Sequence, residues 1–383
     1  MNDPRILVYS AKFGDGHLRA AYALIESIYE VYPHAEIAHL DAVEMLNKQF
    51  NTILKDFYLG MIKRTPKLWG DFYYGTSSLS PDSAYQRLLN NLGQSKYMKC
   101  INTFQPDLII CTYPTVAGVL AKLRSKKALN VPVVTVVTDY SVHSQWIHAG
   151  VDLYIVGCED VYRGLVERGI DPERIKVTGI PVSPKFEIKI DRFKMMGDLG
   201  LAPSLPIVLV MGGAYGVLDD IKGVCKMLAD TSVPCQTIVV CGRDEKFYTS
   251  LDEVILHARN HMLKYGFVNN VEELMSVADI VITKAGGLTV SEALTKGVPM
   301  LIYKPIPGQE ERNAAFLAKK GAAKSLNTRA DLEETLFELL ANPEEMNKMK
   351  QAASTTLPGH AAQQAVRYML QLVEENDQEA RVG

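Results

Sequence analysis

The chain has 383 residues, 47 % of them apolar and 22 % charged, with a net charge of −3. That length exceeds one ordinary core and implies two domains of soluble, globular composition. The near-balanced charge excludes bulk nucleic-acid binding, and no stretch approaches the ~20 consecutive apolar residues of a membrane-spanning helix.

Apolar runs alternate with amphipathic stretches from end to end, the pattern of parallel sheets with helices on both faces. Met1, Asn2, Asp3 and Pro4 lead directly into a first strand pattern at 5–11, without signal-peptide character. The turn after it, Gly14-Asp15-Gly16-His17, places an imidazole at a helix start. The positive end of a helix dipole disfavours the imidazolium there, so His17 can accept a proton, unless it is a structural histidine. A second strand pattern follows at 36–40. From 47 to 99 the alternation stops: eight Lys/Arg stand against three Asp, a local balance of +5, and nine aromatics crowd in. Lys63, Arg64, Lys67 and Trp69 belong to this segment. Basic residues beside interfacial aromatics suit a helix lying on an anionic bilayer surface; the equal alternative is a helical insertion packing its aromatics onto the sheet.

Strand patterns resume at 107–112, 132–138, 153–157 and 175–179. At 138–148 comes a polar cluster whose Asp139, His143, Trp146 and His148 would line a ligand cleft, or, for Trp146 and His148, pack helices. The charged, Pro- and Gly-containing segment 191–206 reads as a linker. A second strand series then occupies 207–211, 236–241, 265–268, 280–283, 299–303 and 323–326. The first of these runs into Met211-Gly212-Gly213-Ala214-Tyr215-Gly216, where glycines allow a ligand close to the backbone, or merely make a turn. The strand pattern at 280–283 opens onto Lys284-Ala285-Gly286-Gly287-Leu288-Thr289. Its glycines, helix-terminal N–H groups, hydroxyl and lysine suit a diphosphate, and Glu292 one turn later suits a ribose diol; a tight turn alone is the alternative. In the loop after 299–303, stiffened by Pro305 and Pro307, Gln309, Glu310 and Asn313 suit several sugar hydroxyls, or merely cap a helix. The helical tail at 361–374 has no strand after it and is expected to brace the first domain.

Six cysteines show neither C-x-x-C nor zinc-finger spacing, which suits free thiols in a reducing cytosol. No Asp-x-Asp pair is present to hold a divalent ion beside a diphosphate, so no obligate metal or other cofactor is expected.

Taken together, the whole chain resembles the GT-B glycosyltransferases that make glycolipids, namely the bacterial processive diacylglycerol β-glucosyltransferases and the plant monogalactosyldiacylglycerol synthases. The resemblance is carried by Gly14-Asp15-Gly16-His17, by Thr138-Asp139-Tyr140 with His143 and Trp146-Ile147-His148, and by Thr178-Gly179-Ile180-Pro181-Val182. Met211 to Leu218, Thr283 to Gly287 and Tyr303 to Glu310 complete it. It implies an α/β fold of two Rossmann-like domains facing across a cleft: an acceptor domain at 1–190 with the helical insertion, a donor domain at 191–358, and a C-terminal helix at 359–383 returning to the first.

The implied reaction is inverting transfer of a hexose, by overall likeness glucose, from a UDP-sugar to diacylglycerol or a glycosyl-diacylglycerol. The implied place is peripheral, on the cytoplasmic face of the cell membrane. Carried over by position, Gly16, Gly212 and Gly213 match the donor loops and Phe267 with Val268 a strand end beside uracil. Lys284, Gly286, Gly287 and Thr289 match the diphosphate turn, Glu292 the ribose contact, and Gln309, Glu310 and Asn313 the sugar loop. Where plant members carry a proposed basic aspartate this chain has Lys12, so the base becomes His17, with Asp15 or Asp139 in reserve. A UDP-sugar 2-epimerase and a non-catalytic UDP-sugar sensor are the rival readings.

Overall fold

The computed structural model describes residues 3–12, 15–46, 60–61, 65–80, 83–212 and 220–382. Predicted residues Lys63, Arg64 and Gly213 therefore lie outside the described residues, as do Gly14 and the aromatics Phe50, Phe57 and Tyr58. The chain divides into two units. The first comprises Met1–Pro184, Pro307–Gln309 and Pro358–Gly383; the second comprises Lys185–Ile306 and Glu310–Leu357.

The first unit is built on a parallel sheet of β1 (Arg5–Ser10), β2 (Glu36–Asp41), β3 (Leu108–Cys111), β4 (Val133–Val136), β5 (Leu153–Val156) and β6 (Ile175–Val177), in the order β2-β1-β3-β4-β5-β6. Because side chains alternate across a strand, each strand feeds two cores. Ile6 and Val8 pack with Leu24 and Ile28 of the helix Asp15–Val31 and with Val366 and Met369 of the helix Ala361–Val382. Leu7 and Tyr9 pack on the other face with Val116, Leu120, Tyr97 and Ile101. The C-terminal helix thus completes the first unit's core, as its unaccompanied helical pattern predicts.

The segment 47–99 contains helices and no strand among its described residues. Its helix Pro66–Ser77 starts with Pro at the first turn, where a missing N–H costs nothing. Gly70, Tyr73 and Ser77 are its buried face, whereas Leu68 and Phe72 are 61 % and 47 % exposed. Within this one helix some aromatics pack inward and others face solvent.

The second unit contains β7 (Ile207–Met211), β8 (Gln236–Val240), β9 (Met262–Tyr265), β10 (Ile280–Thr283), β11 (Met300–Tyr303) and β12 (Ala323–Leu326), all parallel, in the order β12-β11-β10-β7-β8-β9. One strand is misplaced by the sequence pattern. The run predicted at 265–268 is instead β9, ending at Tyr265, so Phe267 and Val268 lie in the loop beyond it. The register Thr237↔Met262 to Val240↔Tyr265 sets its position, and as an edge strand with largely half-buried residues it carries little apolar signal of its own.

In both sheets the strand order reverses direction once, between β1 and β3 and between β7 and β10. At such a switch point the adjoining loops part and leave a crevice at the carboxyl ends of the strands. The singled-out turns leave these strands: residues 11–17 follow β1, Gly212 follows β7 and Lys284–Thr289 follows β10.

Candidate active site

In the first unit the switch point is occupied by His17. The Thr112 hydroxyl donates to the His17 carbonyl at 2.8 Å, fixing the helix start against the end of β3, and Thr138 Oγ1 lies 3.1 Å from His17 Nδ1. The imidazole meets Tyr113 edge-on at 5.4 Å between centroids and Trp146 at 6.1 Å. Burial lowers its pKa to about 4; a hydrogen bond with the Thr112 backbone opposes this without overcoming it. At neutral pH the ring is uncharged and able to accept a proton. Asp15 occupies the first turn of the same helix, half-buried like Gly16.

Asp139, 6 % exposed, accepts from Trp146 Nε1 at 3.4 Å and from the Gln309 side-chain amide. Burial raises its pKa to about 6, and these two hydrogen bonds pull in the other direction. His143 uses Nδ1 to accept from the Gln145 N–H at 3.2 Å, capping the short 3-10 turn Ser144–Trp146, which leaves Nε2 to donate to Thr76 Oγ1 at 3.2 Å. His148 is buried, with Nε2 2.8 Å from the Gln145 carbonyl and its backbone N–H donating to Tyr154 Oη. Burial lowers its pKa to about 4. A Cβ on Gly118 would come within 2.6 Å of its ring, so this histidine serves packing beneath the helix Pro114–Ser125.

In the second unit Gly286 caps the helix Gly287–Thr295 in an extended conformation, and a Cβ there would meet nothing within 4 Å. The helix therefore presents open N–H groups with the positive end of its dipole, beside half-buried Lys284 and Thr289. Glu292 is buried one turn further on. Asn313 donates from Nδ2 to the Ala285 carbonyl at 2.9 Å, tying the next loop to this turn. Glu310 accepts from the Ile306 N–H at 2.8 Å; burial raises its pKa, and the Lys284 charge acts against that rise. Gly212 is pressed against the start of the helix Ile221–Asp230, since a Cβ would lie 2.8 Å from Ile221 Cδ1. Phe267 is 50 % exposed, with the Arg243 guanidinium 4.6 Å from its ring centroid.

The sequence pattern that describes monogalactosyldiacylglycerol (MGDG) synthases matches residues 17–182, and that of the glycosyltransferase family 28 C-terminal domain matches residues 207–366. The processive diacylglycerol β-glucosyltransferase of Bacillus pumilus is 32 % identical over 375 residues, covering 97 % of this chain and 95 % of the relative. The enzyme of that name from Bacillus subtilis is 31 % identical over 348 residues, 90 % of this chain and 89 % of its own. The chain belongs to this glycosyltransferase family. Among solved structures, Acinetobacter baumannii MurG superposes with a TM-score of 0.64 at 16 % identity, covering 96 % of this chain and 99 % of that one. The UDP-GlcNAc 2-epimerase of Neisseria meningitidis, bound to UDP-GlcNAc, gives 0.60 at 15 % identity, covering 96 % and 100 %. These likenesses establish the two-domain GT-B fold.

Of the residues singled out from the sequence, the first unit brings together His17, Asp139, Trp146 and Gln309, and the second gathers Lys284, Gly286, Thr289, Glu310 and Asn313. His148 stands apart as a packing residue, and Lys67 is exposed on the outward helix beside half-buried Trp69. Two neighbours of these residues escape the motif reading. Arg243, which meets Phe267, follows Gly242 two residues past β8, a signal of the kind used at the other turns; Thr112, which bonds the His17 carbonyl, is one residue past β3, where nothing in the local pattern marks it.

Proposed function

We propose that this glycosyltransferase moves glucose, with inversion, from UDP-glucose to diacylglycerol or a glycosyl-diacylglycerol while resting peripherally on an anionic membrane surface. The observation that carries the reading is the β10 turn: a helix N-terminus with an uncrowded glycine cap, a lysine beside it, and a carboxylate and an amide held on the adjoining loop. That is the chemistry of a nucleotide diphosphate with a sugar attached. In the transfer the acceptor hydroxyl gives its proton to neutral His17, its oxygen bonds to the anomeric carbon on the face opposite the leaving group, and the bond from that carbon to the diphosphate oxygen breaks. UDP leaves with the electron pair, and charge grows on its β-phosphate. The N–H groups of Gly287 to Thr289 and the Lys284 ammonium face that charge; one such preorganised donor commonly contributes about 3 kcal/mol to the transition state.

No helix among the described residues is long and apolar enough to cross a membrane, and the exposed Lys67, Leu68 and Phe72 support contact from one side. The epimerase likeness rests on fold alone, at 15 % identity. Radiolabelled UDP-glucose and UDP-galactose incubated with diacylglycerol vesicles, with products separated by chromatography, test the reading. Label entering the lipid from UDP-glucose supports it; conversion of UDP-N-acetylglucosamine without any lipid product sinks it.

A further inference from the structure

The tip of the loop after β11 is fitted into the first unit at three consecutive residues. The Gln309 side-chain amide donates to one oxygen of Asp139, whose other oxygen accepts from Trp146 Nε1. Gly308 has φ +98° and donates its N–H to Tyr74 Oη at 3.3 Å; a Cβ there would stand 2.8 Å from Tyr73 Cγ. Pro307 lies against Gly70, where a Cβ would come within 2.6 Å of the proline's Cβ. Gly70, Tyr73 and Tyr74 are at i, i+3 and i+4 on the helix Pro66–Ser77, so they share a face. That helix is in turn anchored next to the Asp139 loop, because Ser144 Oγ donates to the Thr76 carbonyl at 2.7 Å and His143 bonds the Thr76 hydroxyl. Two glycines without which the pieces could not meet, and one buried carboxylate, thus hold a single tripeptide.

We propose that Asp139 and the helix Pro66–Ser77 are positioning elements for Gln309, and that Asp139 is not the proton acceptor. With the amide nitrogen turned to the carboxylate, the amide oxygen is the end left to receive a sugar hydroxyl. The helix therefore governs recognition of the donor's sugar, whereas the nucleotide is held by the β10 turn. This rests on the reading of UDP-glucose as donor and Gln309 as one of its sugar contacts.

The test compares KM for UDP-glucose with Ki for UDP, which lacks the sugar, in the full-length wild type and in Gly70→Ala, Asp139→Ala and Asp139→Asn. Gly70→Ala and Asp139→Ala are expected to raise KM at least fivefold while Ki for UDP stays within twofold. Asp139→Asn, which keeps an acceptor oxygen for the amide, is expected to bring KM back to within threefold of wild type. Alanine suits a helix, so Gly70→Ala should keep the helix Pro66–Ser77 formed, and the effect should come from the displaced tip. An unchanged KM in Gly70→Ala overturns the proposal. So does a UDP Ki that rises in step with KM, or an Asp139→Asn enzyme as poor as Asp139→Ala. A wild type that neither binds nor uses UDP-glucose overturns the donor reading itself, and that failure is recognised before any variant is made.

Discussion

His17 is held uncharged mainly by burial among Tyr113, Trp146 and the ends of β3 and β4, although its place at a helix start was the only cause visible in the sequence. Its proton affinity therefore sets an unusual acid limit. The kcat/KM profile for transfer is expected to lose activity near pH 4 rather than near the ordinary histidine value of about 6.5. His17→Ala should cut kcat by about 10²–10⁴-fold, the usual contribution of a positioned base, while calorimetric UDP affinity stays within a few-fold; near-normal turnover would remove His17 from the chemistry. His148 gives the corresponding stability signature. Its folded pKa is depressed to about 4, so its contribution is complete above about pH 6.5 and is lost as pH falls through 4. Thermal unfolding scanned from pH 7 to 4 should show that decline, and His148→Gln should make it shallower, leaving the share that His17 contributes. What could be read from single residues was chemistry tied to a local turn. The meeting of Asp139 with Gln309 joins positions far apart in the chain, and nothing in either neighbourhood announces it.

Elements were legible wherever a strand is buried on both faces, since a short unbroken apolar run between turn residues has few other uses. The run 280–283 followed by Gly286 and Gly287 is such a case, and the structure adds why the first glycine is there. A Cβ on Gly286 would touch no protein atom, so the fold does not need glycine at that place. Gly286→Ala is accordingly expected to leave the unfolding temperature within about 2 °C, because the added methyl meets no neighbour, yet weaken UDP binding tenfold or more by keeping phosphate off the helix N-terminus. Equal UDP affinity in that variant would detach the turn from the diphosphate. β9 was illegible because its partner β8, rather than its own composition, fixes where it begins. The helix Pro66–Ser77 was ambiguous for another reason: its aromatics divide between an inward and an outward face, and spacing alone could not assign each. Replacing Leu68 and Phe72 together with serine should reduce co-sedimentation with anionic vesicles without lowering thermal stability, because neither side chain is part of a core. Unaltered vesicle binding would assign membrane contact elsewhere.

At the scale of the whole molecule, two parallel sheets were readable from two series of alternating runs, and the return of the C-terminal helix from its unaccompanied helical pattern, but the contribution of 307–309 to the first unit was not. Neither unit is one continuous stretch: the first takes in 307–309 and 358–383 after the second has begun. Its core includes Ala365, Val366, Met369 and Val373. Met369→Ala should cost about 2–5 kcal/mol, as buried methionine truncations do, and hydrogen exchange should show the loss in β1 and the helix Asp15–Val31. Protection lost in the second sheet instead would contradict that assignment. During synthesis the same feature imposes an order. By the time the ribosome has released residue 357 the second unit has all its parts, whereas the first, started earliest, still lacks the helix that seals one face of its sheet. The nascent amino-terminal half must wait with that face only partly covered, by the helix Asp15–Val31, until the helix Ala361–Val382 emerges, which makes it the half that chaperones would meet and the half a stalled ribosome would leave unfinished.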